Sequence, residues 1–192
     1  MLAGSLIAGS GVGCASQELY LQRHEDGNKN VFVAGVNGFM DGFLDNELRK
    51  LGHDIHRECN ATVVVNSVDY EGRNLKRIRE AHKKGERIAL VGYSMGSGRV
   101  YSLAKQCSRE GIKIDLMVLY DPTFTETTPM YKPNNVDRCV AYFSLGPFEG
   151  NKKNLFGQIE IRNSRKDHFG LVNWNDLKND WTSDIKKIRQ KN

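Results

Sequence analysis

The sequence predicts an α/β domain, a three-layer αβα sandwich in which helices cover both faces of a mostly parallel sheet of about six strands. Three observations carry that expectation. Short apolar runs rich in β-branched residues recur along the chain, and they are continuous rather than alternating, the pattern of strands buried on both faces. Between them lie segments of helical period, the rhythm of successive βαβ units. The 192 residues suit one domain with a substantial core, without repeats or an interdomain linker.

The elements follow in order. Val31-Phe32-Val33-Ala34-Gly35-Val36 reads as a buried strand, followed by a helix from about Asp41 to Leu51 with Gly52 as its C-cap. Thr62 to Val68 is the next strand, and Asn74 to Lys84 the next helix, stopped by Gly85. Arg87 to Tyr93 is a third strand. It runs into a small-residue turn and a helix from about Gly96 to Glu110, with Gly111 at its end. Ile114 to Tyr120, Arg138 to Ser144 and Gln158 to Arg162 supply three more strands, and Asn175 to Arg189 the last helix. The expected domain therefore spans residues 28–192, preceded by an N-terminal segment of residues 1–27.

Composition narrows the class. A 39% hydrophobic and 27% charged content is ordinary for a soluble globular domain, and no apolar run approaches the roughly 20 residues that span a bilayer. The net charge of +5 is mild. Its excess lies in scattered lysines and in the tail over residues 185–192, which reads as the solvated face of a terminal helix, so no nucleic-acid partner is expected. Cys14, Cys59, Cys107 and Cys139 form no CxxC pair and no metal-ligand spacing with histidine. Cys107 and Cys139 fall inside helix and strand patterns, where a thiol behaves as a small hydrophobe.

The informative motif is Gly92-Tyr93-Ser94-Met95-Gly96, a G-x-S-x-G placed where a buried strand gives way to a helix. A serine on so sharp a turn has strained backbone angles, and side chains two positions away on either side would collide. Glycine removes those Cβ atoms. The hydroxyl is lifted above the sheet edge, and the helix starting behind it aims free N–H groups at the same spot. A tight turn with an incidental serine is the plainer alternative.

A hydroxyl needs a base to act as nucleophile, and after an elbow of this kind the acid and then the histidine follow in chain order. Of the five histidines only His168 follows Ser94, in the polar loop just past the last expected strand. For the acid, Leu116-Met117-Val118-Leu119-Tyr120 delivers Asp121 to the carboxyl end of the strand beside the nucleophile strand, and Pro122 ends that strand. Glu149 is a competitor, as is Asp167, whose adjacency to His168 makes contact awkward. Asp115 lies at the wrong strand end. An oxyanion hole would combine the Met95 backbone N–H with one from the loop after the first strand, Asn37 or Val36.

With these residues in view, the chain resembles the α/β-hydrolase superfamily, in particular its small bacterial lipase-like and thioesterase-like members. The resemblance rests on the Val-Ala-Gly-Val-Asn-Gly strand end, Val-Gly-Tyr-Ser-Met-Gly-Ser-Gly, Leu-Tyr-Asp-Pro-Thr, Asn135-Val136-Asp137-Arg138, Tyr142-Phe143 and Asp167-His168-Phe169, over residues 30 to 175. It implies a compact α/β-hydrolase fold and hydrolysis of an ester or thioester of a small-molecule or lipid-like acyl group through an acyl-enzyme, without metal or cofactor. In most of the family the acid follows the next strand, and in some lipase-like members it stands where Asp121 does, which keeps Glu149 in play. Insertions are few, so no large lid is expected. The rim would come from residues 124–135 and 145–156, with Phe39, Tyr93, Phe124, Tyr131 and Phe148 lining it, beside Met130 and Phe156. A catalytically silent scaffold serving as a binding or envelope-structural module is the alternative function.

The first residues are small, apolar and uncharged up to Cys14. They resemble the end of a bacterial lipoprotein signal, which implies a lipidated Cys14 and an exported, envelope-anchored protein. Two departures stand against it. No basic stretch precedes the apolar one, and Gly11 stands where an aliphatic residue is usual. Without such a signal the protein would be cytoplasmic.

Overall fold

The computed structural model describes residues 18–24, 30–38, 47–66, 71–146, 150–168, 170–171 and 175–190. Cys14, Phe39, Phe148, Glu149 and the expected helix start at Asp41 lie outside the described residues.

The sheet has seven strands: β1 (Leu19–Leu21), β2 (Val31–Val36), β3 (Thr62–Asn66), β4 (Arg87–Tyr93), β5 (Ile114–Tyr120), then β7 (Val136–Phe143) and β9 (Ile159–Asn163). Their spatial order is β1-β3-β2-β4-β5-β7-β9, and every pairing is parallel except β1 with β3. Strands β2, β4 and β5 span the residues read from the sequence, because burial on both faces leaves uninterrupted apolar runs. Alternate residues feed two separate cores. Val31, Val33, Val63, Val65, Val91 and Val118 point into one, and Phe32, Ala34, Val64, Leu90, Met117 and Leu119 into the other.

Helices α1 (Glu47–Cys59) and α4 (Asn175–Gln190) close the first core with Leu48, Leu51, Ile55, Trp181, Ile185 and Ile188. Helices α2 (Glu71–Lys83) and α3 (Met95–Arg109) close the second with Leu75, Ile78, Val100, Leu103 and Cys107. The result is the expected three-layer sandwich. Ion pairs fix α4 to the sheet edge: Arg138 reaches the buried Asp184 at 2.6 Å, and Arg162 reaches Asp180 at 2.5 Å.

Two of the three glycine stops are seen as expected. At Gly85 (φ 70°) the Glu86 N–H donates to Ala81 O and the Gly85 N–H to His82 O; at Gly111 (φ 68°) the Ile112 and Gly111 N–H groups bond Cys107 O and Ser108 O in the same way. Gly52 is different. It lies inside α1, which continues to Cys59. A Cβ at Gly52 would stand 3.2 Å from Val63 Cγ1 and Val65 Cγ2, so this glycine serves the close approach of helix to sheet, not the end of the helix.

Strand β1 is an addition to the expected elements. Three residues at an antiparallel edge make a weak signal, yet Leu19 and Leu21 pack on the first core while Tyr20 faces out. The folded layer therefore reaches back into the segment 1–27, at least to Leu19. A second, two-stranded parallel ribbon, β6 (Met130–Tyr131) with β8 (Leu155–Phe156), ties together the two segments expected to form the rim. Among the described residues no helix is long and apolar enough to cross a membrane.

Candidate active site

The site sits where the strand order changes direction. From β2 the chain crosses to β3 on one side and then returns to β4 on the other, which opens a crevice beyond the carboxyl ends of β2 and β4. Ser94 follows β4 there, and Asn37 and Gly38 follow β2.

Ser94 has φ 54° and ψ −123°, a conformation costing a non-glycine residue on the order of 1–3 kcal/mol. Its surroundings hold it there. The Ser94 N–H donates to Tyr120 O at 2.7 Å, the Ser97 N–H to Ser94 O at 3.0 Å, and the Ser97 hydroxyl to Tyr120 O at 3.2 Å. The two motif glycines are needed, for different reasons. A Cβ at Gly92 would come within 2.5 Å of Ser97 Cα, in the first turn of α3. At Gly96 it would overlap Val36 O and come within 2.6 Å of Asn37 O, backbone that has no rotamer to yield. Gly96→Ala is therefore expected to push the β2 loop away from α3 and cost about 3 kcal/mol; urea unfolding with unchanged stability would contradict it.

Asp121 ends β5 with φ 42° and is fully buried. Its Oδ1 accepts the Ser144 N–H at 2.6 Å, and its Oδ2 lies 2.8 Å from His168 Nδ1. A carboxylate only accepts, so Nδ1 carries the proton, an arrangement that in the neutral ring leaves the lone pair on Nε2. His168, 9% exposed, lies past β9 and stacks on Tyr93, ring centroids 5.0 Å apart and 24° between planes. Tyr93 is the residue before Ser94, so the Asp121–His168 pair and Ser94 lie at the same, carboxyl end of the sheet strands. Asp167 is engaged elsewhere: its Oδ1 accepts the Gly170 N–H at 2.7 Å. Asp115 lies at the opposite end of the sheet, where it holds Arg87 and the Ile88 N–H.

The oxyanion donors need correction. The Asn37 N–H donates to Asn66 O at 2.9 Å, so it is not available to a substrate. Val36 is a sheet residue with register partners on both sides, Asn66 and Gly92. Gly38 lies closer to Ser94: a Cβ there would stand 3.1 Å from Ser94 Cβ and 3.6 Å from Ser94 Oγ. Met95 opens α3, where backbone N–H groups have no partner within the helix.

The rim residues divide. Phe124 stacks on Tyr101 at 5.7 Å and packs against Gly98 of α3, so it anchors its loop. Tyr131, 63% exposed, stacks on Phe156 at 4.9 Å on the ribbon. Tyr93 is half-buried and its hydroxyl donates to His168 O at 2.8 Å. Nothing in the sequence spacing of Tyr93 or Ser144 signals that bond or the Ser144 N–H that holds Asp121. Met95 and Leu145, both more than half exposed, add apolar surface next to Ser94 and Ser144.

The cysteines among the described residues are poor nucleophiles. Cys59, Cys107 and Cys139 are buried and free, and burial pushes their thiols up to about 11, 12 and 12, so they stay protonated at neutral pH. Among the described residues no three His, Cys, Asp or Glu side chains are grouped to hold a metal ion.

No protein-family model matches the sequence, and neither does any curated protein. Solved structures do match the fold. One of the two metagenome-derived lipolytic enzymes LipS and LipT is similar with a TM-score of 0.64 and 11% identity, over 93% of this chain and 99% of that one. An esterase of Pyrobaculum calidifontis gives 0.59 and 11%, over 92% and 85%. BorB, the type II thioesterase of the borrelidin biosynthetic cluster, gives 0.59 and 9%, over 88% and 96%. Identities this low bear on the fold: the sandwich is that of the α/β hydrolases.

Proposed function

We propose that this α/β-hydrolase-fold chain is a serine hydrolase that cleaves carboxylic esters or thioesters through an acyl-enzyme. The observation that carries the reading is the buried Asp121–His168 hydrogen bond, set one stacked ring away from a serine held at φ 54° over a helix N-terminus. The esterase, lipolytic and thioesterase structures that share the fold support the choice of an ester or thioester as substrate.

Each role follows from chemistry. Asp121 fixes the tautomer of His168 and stabilises the imidazolium as it forms. His168 Nε2 takes the Ser94 proton as Oγ attacks the acyl carbon, then returns it to the leaving alcohol or thiol. Charge on the tetrahedral oxygen is met by the Met95 N–H at the positive end of α3 and by a second donor from the loop after β2, which we place at Gly38 rather than Asn37. Water, deprotonated by the same imidazole, attacks the acyl carbon, and His168 returns that proton to Ser94 Oγ as the acid leaves. No step needs a metal or cofactor.

A p-nitrophenyl ester series of increasing acyl length, with acyl thioesters of matching length, tests the proposal. Turnover of at least the short esters by purified protein is expected. Folded protein inert toward every member, oxyester and thioester alike, would leave the silent scaffold as the better account.

A further inference from the structure

We infer that Tyr93 is a positioning residue for His168, coupling the catalytic base to the nucleophile through a single peptide unit. The inference rests on the roles given above to Ser94, Asp121 and His168, and it replaces the expectation that Tyr93 lines the substrate rim.

Two independent contacts join Tyr93 to His168. The Tyr93 hydroxyl donates to the His168 backbone carbonyl at 2.8 Å, and its ring lies against the imidazole at 5.0 Å, 24° from parallel. Together with Asp121 at Nδ1, they constrain His168 at its backbone, on one ring face and at one ring edge. The remaining freedom, swinging of the ring about the Asp121 contact, is what a stacked neighbour restricts.

The rest of the loop is fastened at other points. The Ser164 N–H donates to Phe143 O, the Lys166 N–H to Ser164 Oγ, the Leu145 N–H to Lys166 O and the Gly170 N–H to Asp167 Oδ1. These bonds fix the loop around His168, while Tyr93 holds the histidine residue itself. Tyr93 is also the last residue of β4, seated in register with Tyr120 of β5, so its ring projects from the rigid centre of the sheet. Because Ser94 follows it directly, a shift of the strand end moves nucleophile and base together. Proton transfer is steep in distance, and a misplacement of about 1 Å costs on the order of a hundredfold in rate.

The test compares Tyr93→Phe and Tyr93→Leu with wild type and with Ser94→Ala, on p-nitrophenyl butyrate and octanoate, with activity expressed per mole of protein shown to be folded by circular dichroism. Phe keeps the stack and loses the hydroxyl, so kcat should fall about tenfold with KM within about twofold for both esters. Leu loses both contacts and should cost about a hundredfold in kcat, again with KM little changed. A Phe variant with wild-type kcat overturns the inference. So does an unchanged kcat with a KM that rises more for the octanoate, the signature of a rim residue. Turnover by Ser94→Ala equal to wild type brings down the serine-hydrolase reading and this inference with it, whereas an inactive Ser94→Ala beside a fully active Tyr93→Phe sinks this inference alone.

Discussion

Ser94→Ala should lower ester turnover by about 10⁴-fold or more while leaving the fold intact. The loss is large because no thiol among the described residues can substitute. The three buried cysteines keep their thiols protonated at neutral pH, and none belongs to the crevice past β4. The fold should survive because the Ser94 side chain makes no capping hydrogen bond to α3, and the backbone bonds through Tyr120 O and Ser97 remain. The strained φ gives a second handle. Ser94→Gly should be equally inactive yet more stable, by about 1 kcal/mol, since glycine adopts φ 54° without penalty. Thermal unfolding beside steady-state rates separates the two effects. An inactive variant that had also lost its fold would carry no information about chemistry, which is why the glycine variant belongs in the comparison.

Asp121→Asn should cost about 10⁴-fold in kcat. The change is nearly isosteric, so it alters the placement of protons rather than the shape of the site. The native carboxylate accepts twice, from the Ser144 N–H and from His168 Nδ1–H. An amide has one accepting oxygen. If that oxygen faces Ser144, the NH2 group faces the imidazole. Nδ1 must then offer its lone pair to the amide and the ring proton moves to Nε2, the tautomer that cannot accept from Ser94. If the oxygen faces His168, the buried Ser144 N–H meets a second donor, at a cost of about 1–3 kcal/mol. Either arrangement harms the protein, the first in rate and the second in stability. A variant with wild-type kcat and wild-type stability would show that Asp121 does not orient His168.

Much of this was legible in the chain, for physical reasons. Strands β2, β4 and β5 are buried on both faces, so their sequences are unbroken apolar runs with recognisable ends. The Asp121–His168 contact could be anticipated because one histidine follows Ser94 and one buried strand ends in a carboxylate. Other features depend on distant contacts. Gly52 reads as a helix stop until Val63 and Val65 are seen beneath it. The Asn37 N–H reads as an oxyanion donor until Asn66 O is found to accept it, a partner on another strand. Tyr93 reads as rim because an aromatic beside a nucleophile usually meets substrate, and only the fold brings the His168 carbonyl to its hydroxyl.

The central claim is that Ser94 is an activated nucleophile, and covalent labelling tests it most directly. Folded wild-type protein treated with a fluorophosphonate should gain a single adduct by intact mass, mapped by peptide sequencing to Ser94 and absent from Ser94→Ala. No adduct on folded protein, or an adduct on a different residue, would contradict the account.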